Sequence, residues 1–225
     1  MHIDTLRQFY LSSRPGEPTL FDIWEAGGAR GDSVTPSTYS DAYRSWMRDK
    51  LVTAVKENRT DRLLSIGCGN AAVEGDVARG GYRVLAVDAI EDAVALARAK
   101  GIEAQCADVT TWSPDGSWPV VYADGLLGHI YQPATGLAPL LSRIREWLSN
   151  TDTRGTLIAS NDGPKDGSRV QAAPGVPGFH WLSGEYMHDQ AVAAGFQDVS
   201  VEYFDYDRPE SGARSRAVIT AHTES

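Results

Sequence analysis

Hydrophobic positions along this chain follow two regimes that meet near residue 61. Beyond it, short apolar runs alternate with stretches in which apolar residues recur every three or four positions. The runs 62–66, 82–88, 102–106, 119–123, 155–160, 198–204 and 214–221 read as strands. The stretches at about 71–79, 91–100, 134–149 and 183–194 read as helices. Strands alternating with helices imply a doubly wound parallel sheet. The last two strands are joined by 205–212, a polar link too short for a helix, so that pair is expected to be a hairpin with one strand antiparallel. The expected class is α/β: seven strands, mostly parallel, an antiparallel C-terminal hairpin strand, and helices on both faces.

Ahead of residue 61 the pattern is broken. Residues 1–50 carry Phe9, Tyr10, Phe21, Trp24, Tyr39, Tyr43 and Trp46, and Pro15, Pro18 and Gly27-Gly28 cut the first part into short pieces. One long helix is expected, capped by Ser37 or Ser40 and running to about Asn58, with Tyr43, Met47, Leu51 and Val55 on one apolar face. Residues 1–60 therefore read as a small helical cap and 61–225 as the core of a single domain. Residues 161–181 are a Gly/Pro-rich loop after the fifth strand, at the sheet edge where such folds bind ligands.

Composition narrows the function. With 225 residues, 42% hydrophobic and 23% charged, the chain is long enough to bury a sizeable core. A net charge of -9 repels phosphate backbones, so nucleic acid is not an expected partner. Cys68 and Cys106 have neither disulfide-framework nor metal-ligand spacing. Glu185 and His188 share a helix face but lack further ligands, so no metal is expected. No run approaches membrane-spanning length and no leader is visible at residues 1–4, so a soluble, cytoplasmic protein without a membrane partner is the expectation.

The chemistry concentrates at strand ends. The first strand stops at Gly67-Cys68-Gly69 and the second at Asp88. Glycines let backbone approach a ligand closely, and an acid at the next strand end accepts hydrogen bonds from both ribose hydroxyls, so this is a nucleotide site. The strict G-x-G-x-x-G pattern fails at Ala72, although the relaxed form with alanine survives. An NAD(P)-dependent oxidoreductase and a non-catalytic nucleotide-binding regulator are therefore kept as alternatives. The third strand leads into Cys106-Ala107-Asp108-Val109, and the fourth into Asp124-Gly125, with His129 soon after. No G-x-S-x-G, phosphate loop with lysine, or Asn/Asp-Pro-Pro-aromatic motif is present.

With the closing hairpin and Ala194-Gly195-Phe196, these residues resemble the class I S-adenosylmethionine-dependent methyltransferases over roughly 61–222. The resemblance implies a methyl transfer to an oxygen or nitrogen of a small metabolite or natural product, with S-adenosylmethionine as cofactor. It implies that Gly67, Cys68, Gly69 and Ala71 form the loop around methionine and ribose. Asp88, with Ala89, would take the ribose diol, Asp108 and Val109 the adenine, and Asp124 and Gly125 the methionine side. His129 follows the fourth strand, where the acceptor sits, and is the candidate catalytic base and pocket residue. Tyr39, Tyr43, Tyr131, Asn161 and His180 are the other candidate acceptor contacts. One position departs from the family: the acid expected two residues before the first glycine is Ser65, which leaves Glu74 or Asp124 to take its place.

Overall fold

The computed structural model describes residues 3–11, 16–31, 33–149 and 154–224; Pro15, expected to interrupt the N-terminal segment, lies outside them. The strands in chain order are β1 (Arg62–Ile66), β2 (Arg83–Asp88), β3 (Glu103–Cys106), β4 (Val120–Asp124), β5 (Thr156–Asp162), β6 (Val170–Ala172), β7 (His180–Leu182), β8 (Gln197–Arg208) and β9 (Gly212–His222). Seven of them build one sheet in the order β3-β2-β1-β4-β5-β9-β8, while β6 and β7 pair separately. The first five run parallel, with Ile66 beside Val87 and Ser65 beside Tyr122. β9 alone runs against them, pairing Ser160 with Val218 on one side and β8 on the other. The α/β class and the antiparallel closing strand are thus as the residue pattern indicates.

The core helices are α5 (Ala72–Arg79), α6 (Glu91–Ala99), the short α7 (Leu127–Ile130), α8 (Ala138–Ser149) and α9 (Gly184–Ala193). Ahead of them lie α1 (Ile3–Leu11), α2 (Leu20–Glu25), α3 (Pro36–Tyr39) and α4 (Asp41–Glu57). Ser40 caps α4 by accepting from the Tyr43 N–H, and Tyr43, Met47, Leu51 and Val55 are fully buried. They pack on Leu63, Tyr122, Ile158 and Val218, one face of the sheet. The alternate residues Leu64, Val121, Leu157 and Ile219 face α8 and α9 on the other side. Burial of each such side chain contributes about 1.5–3 kcal/mol before entropy is counted.

Two features of the first 60 residues and the closing hairpin bear on the site. A Thr19–Asp22 capping box starts α2, and Phe21 and Trp24 of that helix join Leu6 of α1 against Ile90 and Ala93 of α6. This places α1 and α2 beside the carboxyl edge of the sheet. The segment 205–212, expected to be a polar link, is mostly strand: β8 runs to Arg208 and the turn spans 209–211. Arg208 lies in this stretch and Arg214 and Arg216 in the strand that follows, yet all three are buried. Their partners are carboxylates and carbonyls brought close by folding, which a one-dimensional pattern does not display.

Candidate active site

The glycine turn after β1 is fixed from both ends. The N–H groups of Gly67 and Cys68 donate to the Val87 carbonyl, at 2.7 and 3.3 Å. Gly67, Gly69 and Ala71 all take left-handed backbone, with φ of +67°, +52° and +52°. A Cβ at Gly67 would also lie 2.9 Å from Leu126 Cδ1, so both conformation and space demand glycine there. Asp88 closes the turn: Oδ2 accepts from the Gly69 N–H and Oδ1 from the Ile90 N–H, each at 3.0 Å. Burial nevertheless pushes the Asp88 carboxyl up to about 6, the backbone donors opposing part of that shift.

A cavity of about 680 Å³ opens along this edge. It is lined by the glycine turn, Glu74, Asp88, Ala89 and Val109. Phe9, Tyr10, Phe21, Phe179, Trp181, Arg208 and Arg216 line it as well, the first three from the helices that pack on Ile90 and Ala93 just after Asp88. Asp124, Gly125, Leu126 and His129 lie on its wall too.

Four buried charges meet where β4, β5, β8 and β9 end. Arg216 donates to Asp124, to Asp162 at 3.0 Å and, through Nε, to Ser160 at 3.1 Å. Arg208 donates to Asp162 and to the Tyr206 hydroxyl, which itself donates to the same carboxylate at 2.8 Å. The adjacent Arg216 guanidinium and Ser160 hydroxyl hold the Asp124 carboxyl below its ordinary value despite the opposing effect of burial. Asp124 Oδ2 is buried without a hydrogen bond of its own.

Glu74 projects from α5 against β1, where the Ser65 hydroxyl donates to its Oε1 at 2.5 Å. Burial pushes the Glu74 carboxyl up to about 7. His129 Nε2 lies 2.9 Å from the Tyr10 hydroxyl, and the Phe179 ring meets the imidazole edge-on at 4.6 Å between centres. Burial lowers the imidazole to about 4, so it is neutral at pH 7 rather than titrating there as its ordinary value suggests.

The structure gathers Gly67, Cys68, Gly69, Asp88, Ala89, Val109, Asp124, Gly125 and His129 around the one cavity. The other candidates stand outside its lining. Asp108 turns Oδ1 back to the N–H and hydroxyl of Thr110, closing its own turn. Tyr39 donates to the Asp207 carbonyl on the flank of the hairpin. Tyr43 is fully buried beneath the site and donates to Asp124 and Ser160 at 3.3 Å each. Asn161 accepts from the Gly128 N–H and donates to the His180 carbonyl, clamping α7 to β7. The rings of Tyr131 and His180 meet at a tilt of 57°, 4.7 Å between centres. Sequence reasoning missed Tyr10, Trp24, Arg208, Arg216 and Phe179 as lining residues. The aromatic density of residues 1–50 hinted at the first two, whereas the arginines had no local signal.

Three features test S-adenosylmethionine against this site. The turn holds a cradle that a Cβ at Gly67 would fill, Asp88 presents a carboxylate at the end of β2, and Asp124 holds an orphaned buried acceptor beside them. These match, respectively, close backbone approach to the ligand, a ribose diol and a cationic arm. Residues 64–148 match the family described as a methyltransferase domain. A tabtoxin biosynthesis enzyme from Pseudomonas amygdali pv. tabaci is 43% identical over 208 residues, covering 91% of this chain and 81% of the relative. Magnesium protoporphyrin IX methyltransferase from Synechocystis PCC 6803, with S-adenosylhomocysteine bound, shares the fold at a TM-score of 0.66 and 16% identity, covering 99% of each chain. So does a 1,6-didemethyltoxoflavin N1-methyltransferase from Burkholderia thailandensis, at 0.58 and 19% identity, over 85% of this chain and 92% of that one. The family match, the 43% identical relative and the sheet order agree, and the chain belongs to the class I S-adenosylmethionine-dependent methyltransferases.

Proposed function

We propose that this enzyme methylates an oxygen or nitrogen of a small natural product or metabolite, held between the glycine turn and a roof made by the first 60 residues. The observation that carries this reading is one cavity lined both by Gly67 and Asp88 and by His129, Phe179 and Arg208. At about 680 Å³ it falls in the range that small ligands occupy. The 43% identical relative in tabtoxin biosynthesis supports a natural-product acceptor.

The donor supplies an already activated methyl group, so the protein's task is to position the acceptor and exclude water. Gly67, Cys68, Gly69, Asp88, Ala89 and Val109 hold the nucleoside side, and Asp124 and Gly125 the methionine side. Asp108 acts through the turn it closes, and Tyr43, Asn161, Tyr131 and His180 set the acceptor wall from behind. Neutral His129 takes the acceptor proton at Nδ1, with Nε2–H donating to Tyr10. Loss of the positive charge from sulfur as the methyl leaves lowers the cost of an imidazolium forming nearby. Residues 1–60 act as the lid. Among the described residues no helix is long and apolar enough to cross a membrane, and a cytoplasmic location is part of the proposal.

The test is calorimetric titration with S-adenosylmethionine, S-adenosylhomocysteine and NADH, then incubation of methyl-labelled donor with fractions of small-molecule extract. Binding of both sulfur nucleosides and label in a low-mass product are the expected results. Binding of NADH alone, or label in protein or nucleic acid only, sinks the proposal.

A further inference from the structure

We propose that Glu74 replaces the acid missing at Ser65: its carboxylate, steadied by the Ser65 hydroxyl, receives the ammonium group of the donor's methionine arm. This rests on the donor assigned above and goes beyond it, because the residue lies on α5 rather than at the end of β1.

Three observations carry it. The position two residues before Gly67 holds a serine, whose hydroxyl points at Glu74 Oε1 at 2.5 Å. Glu74 is buried from bulk solvent yet lines the cavity, on the same stretch of wall as Gly67 and Asp124. No arginine or lysine forms an ion pair with it among the described residues: nearby Lys100 is paired to Glu25 at 2.7 Å. A carboxylate in an apolar wall without a cation is costly unless a ligand provides one. Serine and glutamate here form one unit split over two elements, the small residue on the strand leaving room for the long acid from the helix.

The groups facing Glu74 pull in both directions, and burial prevails. Ser65 approaches from β1, Tyr122 and Asp124 from β4, Cys68 from the turn, and Lys100 from the end of α6. Asp124 and burial both disfavour the charged form, and Lys100 and the Ser65 hydrogen bond offset them in part. An arriving ammonium therefore favours the ionised form, and donor affinity weakens as pH falls below 7.

The experiment is calorimetry on wild type, Glu74→Gln and the pair Ser65→Asp with Glu74→Ala. The ligands are S-adenosylmethionine, S-adenosylhomocysteine and 5′-methylthioadenosine, which lacks the amino-acid arm. Glu74→Gln is expected to weaken the first two by about tenfold or more and the third by less than about twofold. The double variant regains most of the lost affinity, and the weakening between pH 7 and 6 is shallower in Glu74→Gln than in wild type. Equal losses on all three ligands, no loss on any, or a double variant no tighter than Glu74→Gln would each overturn the assignment. A wild type that binds none of the three overturns the donor reading itself, and this inference with it.

Discussion

The phenol oxygen of Tyr10 lies 2.9 Å from Nε2 of His129, tying the first helix of the chain to α7 after β4. His129 Nδ1 is buried with no protein partner, and burial also raises the Tyr10 phenol above its ordinary value. The pair is therefore a neutral imidazole and a protonated phenol across the working range of pH. His129→Ala is expected to lower kcat by about 10²-fold with KM little changed. Tyr10→Phe loses less, and the two changes combined lose less than their product, because they share one hydrogen bond. The pH profile of kcat/KM should show no inflection from His129 between pH 6 and 8, since its group ionises near 4. A His129→Ala enzyme altered in KM alone would reduce the residue to a wall of the pocket.

Asp88 has two tasks that one substitution separates. Its oxygens hold the Gly69 and Ile90 N–H groups and face the cavity as well. Asp88→Asn is expected to weaken S-adenosylmethionine and 5′-methylthioadenosine alike, by about tenfold, because the ribose is common to both. Asp88→Ala removes the turn's anchor and weakens binding further. Titration calorimetry on the same ligands checks both, and retention of nucleoside affinity in Asp88→Asn would count against the ribose assignment.

Of the proposed donor half, the glycine turn and the Asp88 strand end were legible because their signals are local. Gly67-Cys68-Gly69 is a backbone requirement written in consecutive residues, and Asp88 ends an apolar run. The acceptor half was not. Tyr43 belongs to a clear apolar stripe, but whether its hydroxyl met ligand or Asp124 depended on how deeply α4 packs. Arg208 read as part of a polar link and Arg216 as one position of the last strand, since the carboxylate that neutralises both is 46 and 54 residues earlier. Asp108 and Asn161 were placed correctly at strand ends, yet each turns its side chain to neighbouring groups. Strand position predicts which edge a residue occupies, not where a short polar side chain points.

Arg216 is the keystone of that buried cluster. It stands between Asp124 and Asp162 with almost no exposed surface. Arg216→Met leaves two carboxylates crowded at a dry sheet end and should cost about 3–5 kcal/mol of stability. Adding Asp124→Asn removes the carboxylate left without a cation, while Asp162 keeps Arg208, and recovers a large part of it. Urea unfolding at pH 7.5 measures the series. A single variant as stable as wild type would mean that water reaches this cluster freely.

Glu74 carries a stability signature opposite to that of most acids. Its carboxyl is raised from 4.5 to about 7 by burial. The folded chain therefore binds this proton more tightly than the unfolded chain. The contribution is fully present below pH 4.5 and is lost as pH rises through 7. At pH 8 the ligand-free enzyme holds an ionised Glu74 in an apolar wall, a penalty on the order of 3 kcal/mol. Glu74→Gln relieves it, so the ligand-free variant should melt several degrees above wild type at pH 8, with the gap closing as pH falls to about 5. Saturating S-adenosylmethionine should reverse the order at pH 8, because wild type alone then pairs the charge. Thermal unfolding with and without the donor reads both effects. A variant less stable than wild type without ligand at pH 8 would show that the protein itself already satisfies this carboxylate.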